Sequence, residues 1–196
     1  AVKVGLKRRK EHPGYTGDEE FNFFMAVIFP DSDLKIYDYN RVVKDLNGLS
    51  DAEFLDRISE RFLVEPVEKG PYRPEAKHTF GMYLSGRWYK LTAKPEIVCD
   101  EDVIQCLDVS ILQENLLQPV LGIQDPRTDK RIDFVGGIRG LAELERRVAL
   151  DMAVAFALYP VSISELLAVA DKGMIMPPKS TWFEPKLGSG LFMHEL

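Results

Sequence analysis

The order of apolar and polar residues marks out most elements of the chain. Ala1 to Lys10 reads as the end of a helix. Val2, Val4 and Leu6 supply its apolar residues, and the basic run Lys7–Lys10 sits where the negative end of a helix dipole favours it. His12-Pro13-Gly14 stops it. The dense apolar run Phe21–Phe29, closed by Pro30 and Asp31-Ser32-Asp33, predicts a buried strand, with a short helix as the alternative. Leu34–Asp38 alternates and predicts a neighbouring strand. Ser50 and Glu53 form a capping-box pattern, with Leu49 and Phe54 as its staple, and helical spacing then runs through Phe54, Leu55, Ile58 and Phe62.

A Pro-rich polar loop follows Pro66. Thr79–Leu84, the turn Ser85-Gly86 and Arg87–Leu91 predict a β-hairpin. Helical periodicity spans Leu107–Leu121 as far as Pro119. In the last third, strands at Arg131–Val135 and Val154–Leu158 alternate with a helix at Leu141–Asp151 and a second capping box at Ser162/Glu165, with Gly173 as C-cap. Two short strands, Thr181–Glu184 and Leu191–Glu195, close the pattern. The sum is an α+β fold: a mixed β-sheet with hairpins and helices packed on the sheet, in a single domain over residues 1–196.

Composition narrows the function classes. At 196 residues and 45% hydrophobic the chain suits one globular domain, and neither disorder nor a disulfide scaffold fits. A net charge of -6 gives no overall field toward nucleic acid or an anionic membrane. No apolar run reaches the ~18 residues of a membrane span, and the basic start lacks the apolar segment of a signal peptide. Cys99 and Cys106 match no zinc spacing and read as reduced thiols of a cytoplasmic protein, without a basic neighbour to acidify them. His12, His78 and His194 lie too far apart to predict a metal site.

Three polar segments could carry chemistry. In Asp125–Gly140 a strand enters a Gly-rich turn before a helix. Backbone N–H groups near Gly136 and Gly137 could hold an anion, with Arg139 as a charged fork, though a tight connection with solvated charges explains the same residues. In Met176–Lys186 two prolines stiffen the approach to Lys179, Ser180 and Thr181, a set suited to phosphate or carboxylate; a rigid loop entering an edge strand is the alternative. The segment Tyr37–Asp45 offers Asn40, Arg41 and Lys44 at a strand end, or a turn with solvated charges.

Together Tyr39–Leu49, Asp125–Gly137 and Met176-Pro177-Pro178-Lys179-Ser180-Thr181-Trp182-Phe183 resemble the bacterial and archaeal family called domain of unknown function 1015. The likeness spans nearly the whole chain, and the last motif is the most specific. Family members are longer and carry an Asp-Gly-His-His-Arg motif, similar to that of the ParB/sulfiredoxin-like fold and of free-serine kinases. The resemblance places that motif before Ala1, so the chain is expected to be the C-terminal portion of a longer protein.

The resemblance implies a nucleotide-dependent phosphotransferase acting on an amino-acid-like small molecule, with a nucleotide and Mg²⁺ in the full-length parent. Asn40, Arg41, Lys44, Asp133, Gly136, Gly137, Arg139, Lys179, Ser180 and Thr181 are then candidates for substrate or phosphate contact, Asp133 being an available carboxylate. No catalytic residue transfers from the family. The alternatives are a ParB-like regulatory or nucleic-acid-binding module, which would need a basic face built from Lys3–Lys10 with Arg146 and Arg147, and a non-catalytic interaction domain. A homo-oligomer is left open.

Overall fold

The computed structural model describes residues 2–28, 30–99, 101–186, 188, 190 and 192–194. They fall into two compact units, residues 1–35 with 185–196 and residues 36–184.

In the smaller unit, α1 (Val2–Glu11) is the expected basic helix. Gly5 is its buried residue, because a Cβ there would sit 2.7 Å from the Phe21 carbonyl oxygen. Arg9 donates to the Asn22 side chain at 2.7 Å. The expected strand over Phe21–Phe29 is a correction. Glu20–Asn22 is a 3-10 turn, residues 23–28 carry no strand, and Phe23, Phe24, Met25, Val27 and Ile28 are exposed. Phe29 itself lies outside the described residues. Apolar content reads a preference for burial, whereas a strand also needs a partner for its N–H and C=O groups. Of the strand expected at Leu191–Glu195, both ends lie outside the described residues and Phe192–His194 carry none.

The larger unit is built on a six-stranded sheet in the order β3-β5-β4-β7-β2-β6. Its strands are β2 (Tyr39–Val43), β3 (Phe62–Pro66), β4 (Thr79–Leu84), β5 (Arg87–Ala93), β6 (Ile132–Gly136) and β7 (Val154–Ala157). The α+β class expected from the sequence is the class observed; within it, every pairing of this sheet is antiparallel rather than mixed. A second, two-stranded sheet joins β1 (Lys35–Tyr37) to β8 (Trp182–Glu184). The β4–β5 hairpin turns at Ser85 and Gly86, whose φ angles of 47° and 82° are those of the tightest two-residue turn.

Alternation along the strands divides the core into two layers. Val43, Phe80, Met82, Leu91, Val154 and Phe156 face one layer, with Phe54 and Ile58 of α2 (Asp51–Ser59) and Ile111 and Leu112 of α3 (Asp108–Leu112). Val42, Trp88, Val135, Ala155 and Ala157 face the other, under Leu141 and Leu144 of α4 (Leu141–Leu150). Both predicted capping boxes form, at Ser50/Glu53 of α2 and at Ser162/Glu165 of α5 (Ile163–Asp171). Two helix expectations change. Phe62 opens β3 instead of closing α2, because Phe62 pairs with Ala93 and packs edge-on to Phe80 at 5.8 Å. The helix expected from Leu107 breaks its period at Gln113–Leu117, a π-helical turn that brings both Leu116 and Leu117 into the core. Among the described residues no helix is long and apolar enough to cross a membrane.

Two contacts tie distant parts of this unit together. Tyr39 stacks on Phe134 at 5.9 Å and on Trp182 at 5.5 Å, and Gly136, opposite Tyr39 in the ladder, leaves room for the indole. A Cβ at Gly136 would meet the Trp182 ring at 2.5 Å. At the start of α3, the buried Asp108 accepts the His78 N–H at 2.9 Å, while His78 holds a φ of 64°. Burial pushes the Asp108 carboxyl up to about 6, against the opposing pull of the His78 N–H and ring.

Gly136→Ala should overpack this contact and cost about 1–3 kcal/mol in denaturant unfolding; an unchanged unfolding midpoint would show that Trp182 is not seated there. Asp108 binds its proton more tightly in the folded than in the unfolded chain, so its contribution to stability falls as pH rises from ~4 through ~6. Asp108→Asn should therefore gain stability relative to the parent over that interval, by no more than about 3 kcal/mol. Parallel stability–pH curves for the two proteins would count against the buried carboxyl.

Candidate functional site

The site grows from β2. Its residues alternate between the two core layers, so Tyr39, Arg41 and Val43 share one side and Asn40 and Val42 the other. Arg41 lies in a strand flanked by β6 and β7, opposite Phe134 and Phe156. Its guanidinium is buried, donates to the Tyr39 carbonyl oxygen, and lies 5.5 Å from the centroid of the Phe134 ring. Burial pushes Arg41 down to about 10, opposed by Tyr39, so it remains cationic at neutral pH.

Arg41 lines a cavity of about 500 Å³ in the larger unit. This is the size range of small-molecule sites. Its walls come from three places far apart in sequence: Ser110 and Gln113 at the α3–π-turn junction, Pro126 and Arg127, and Pro177 and Pro178. The π turn is fixed in part by the Gln113 side chain, which donates to the Ile123 carbonyl at 2.7 Å. Asp125 accepts a two-pronged contact from Arg127, at 2.9 and 2.8 Å, which holds it below the usual carboxylate range and leaves the pair nearly neutral. Among the described residues Arg41 has no such carboxylate in its hydrogen bonds.

The remaining candidates divide by location. Lys179 joins the edge of the aromatic stack, with Nζ 5.5 Å from the Tyr39 centroid and donating to its hydroxyl at 3.4 Å. Ser180 is buried and Thr181 half-buried, two residues from the prolines of the cavity wall. Gly136 and Gly137 adjoin β2. The Gly137 N–H donates to the Asp38 carbonyl at 2.8 Å, and a Cβ there would collide with the Asp38 carboxylate. Asn40 is fully buried on the opposite side from Arg41, bridging Asp38 at 2.6 Å and the Leu158 N–H at 2.9 Å. It thereby clamps β2 to the end of β7. Asp38 leaves one carboxylate oxygen without a hydrogen bond, 3.6 Å from Arg73.

Lys44, Asp133 and Arg139 do not line the cavity. Lys44 and Arg139 are exposed. Asp133 pairs with Arg147 at 2.9 Å; burial works against its charge, but the Phe134 N–H, Arg147 and Lys179 hold its carboxyl below the usual range. Arg146 and Arg147 are likewise engaged, with Glu143 at 2.7 Å and with Asp151 at 3.1 Å. Sequence reasoning therefore singled out Arg41, but at the end of a strand over Leu34–Asp38 rather than inside β2, and missed Ser110 and Gln113, which no motif marks. Arg127 did lie in the quoted Asp125–Gly140 stretch and was passed over for the glycines that follow it.

Among solved structures the chain is similar to a free serine kinase mutant in complex with ADP, at 19% identity and a TM-score of 0.46, over 81% of this chain and 58% of that one. It is similar to a free serine kinase in complex with AMP, at 15% identity and a TM-score of 0.46, over 80% and 57%. It is also similar to a conserved hypothetical protein from Pyrococcus furiosus, at 16% identity and a TM-score of 0.45, over 78% and 57%. The chain thus spans less than two thirds of the length of these structures. No curated protein matches it. The model of the family described as a protein of unknown function, DUF1015, matches residues 1–110, more than half of the sequence, and the chain belongs to that family.

Proposed function

We propose that the Arg41 cavity binds the anionic group of a small molecule, and that it serves a nucleotide-dependent phosphotransferase acting on an amino-acid-like substrate. The observation that carries the reading is a buried guanidinium, without a carboxylate partner among the described residues, facing a cavity of about 500 Å³. A desolvated charge is costly unless something compensates it. The Tyr39 carbonyl and the Phe134 face satisfy Arg41 only in part, and its five N–H donors form a fork that fits phosphate or carboxylate. Ser110 and Gln113 add neutral hydrogen-bonding groups to the same wall.

The phosphotransfer part of the reading rests on the family, whose members carry an Asp-Gly-His-His-Arg motif similar to that of free-serine kinases. In such a reaction a fixed cation stabilises charge on the transferring phosphoryl group, and here the sheet holds Arg41 in place before the ligand arrives. Among the described residues no three His, Cys, Asp or Glu side chains are grouped to hold a metal ion, and no step is assigned to Mg²⁺ here.

The test separates a binding arginine from a structural one. Arg41→Met should keep or raise the melting temperature of the ligand-free protein, since it removes a poorly compensated buried charge. The same change should abolish the stabilisation that ADP or pyrophosphate gives the full-length protein, about 2.7 kcal/mol at 100 times the dissociation constant. A variant stabilised by both ligands as strongly as the parent would overturn the proposal.

A further inference from the structure

A second cavity of the larger unit, about 260 Å³, is lined by Lys77, His78, Cys99, Cys106 and Glu165 among others. It holds the only cysteines of the chain, and both are half-exposed. Both thiols open onto this one cavity, seven residues apart in the chain, and the Cys106 thiol lies near enough to Cys99 to lower its pKa. The turn between them is tied down from within. The Asp102 carboxylate accepts the N–H groups of Ile104 at 2.7 Å and Gln105 at 3.0 Å, and the Cys106 N–H donates to the Asp102 carbonyl at 2.9 Å.

We propose that Cys99 and Cys106 form a redox-active dithiol that peroxide converts to an intrachain disulfide. Cys99 is the attacking thiol. The sequence offered no basic neighbour to acidify it, but the fold supplies backbone donors instead. The Asp102 N–H, at 3.5 Å, the Glu101 N–H and the Cys106 thiol lower its pKa, against the opposing effects of burial and of the Asp102 charge.

The step balances without any other reagent. The Cys99 thiolate attacks one peroxide oxygen, the O–O bond breaks, and the departing hydroxide takes up the proton that Cys99 released, giving water and a Cys99 sulfenic acid. The Cys106 sulfur then attacks the Cys99 sulfur. The S–O bond breaks, and the hydroxyl leaves as a second water with the Cys106 proton. Two thiols are oxidised by two electrons and one peroxide is reduced.

The loop so closed contains Ile104, which lines the Arg41 cavity, while Val103 beside it lines the thiol cavity. The disulfide would therefore form next to the proposed binding site without using its polar residues. It stands or falls independently of any ligand there.

The experiment exposes the full chain to hydrogen peroxide, blocks free thiols with N-ethylmaleimide, and maps peptides by mass. The expected product is a Cys99–Cys106 disulfide within one chain, restored to two alkylatable thiols by dithiothreitol. With Cys106→Ser, dimedone should trap a sulfenic acid at Cys99; with Cys99→Ser, Cys106 should take up none under the same exposure. The proposal is overturned if both thiols of the parent stay alkylatable, if only disulfides between chains form, or if dimedone labels Cys106 in the Cys99→Ser variant and not Cys99 in the other.

Discussion

The larger unit is organised around a positive charge kept out of water. Arg41 sits in a strand flanked on both sides by others, and its guanidinium is buried between a backbone carbonyl and an aromatic face. Neither partner carries a negative charge. A buried arginine usually persists because a carboxylate neutralises it. Here the nearest acidic residues of the cavity are otherwise engaged or exposed: Asp125 is bound to Arg127, and Glu114 lies at the surface. The fold thus maintains a desolvated cation beside an open volume, which costs stability and, under the function proposed above, prepares recognition of an anion.

The surrounding parts can be understood as what that arrangement demands. Phe134, Tyr39 and Trp182 form a stacked series, with Arg41 over one end and Lys179 beside the hydroxyl of the middle ring. The electron-rich ring faces offer cations partial compensation without quenching their charge. Gly136 is small because the indole passes over it, and Gly137 because the Asp38 carboxylate does. On the reverse side of β2, Asn40 and Asp38 fasten the strand to its neighbours, which fixes the direction in which Arg41 points.

What the sequence made legible was local. Two capping boxes, the Ser85-Gly86 turn and the basic end of α1 each depend on residues within a few positions of one another, and all are present. The three polar motifs were also visible, and residues from each of them border the Arg41 cavity: Arg41 itself, Asp125–Arg127 and Pro177–Pro178. Their division of labour was not visible. Asn40 and Arg41 are adjacent in the chain but lie on opposite faces of a sheet, one a structural clamp and the other a cavity wall. The strand status of Phe62 and the π turn at Gln113 depend on partners elsewhere in the chain or on a change of helical period. The apolar run at residues 21–28 shows the reverse failure, a strong local signal with no ladder to join.

If Arg41 is held ready for an anion, a crystal structure of the protein with ADP bound will show it engaged. A phosphate oxygen is expected within hydrogen-bond distance of the Arg41 guanidinium, about 2.7–2.9 Å, in the cavity bounded by Gln113, Arg127 and Pro178. A nucleotide bound at full occupancy elsewhere, with that cavity holding only water, would contradict it.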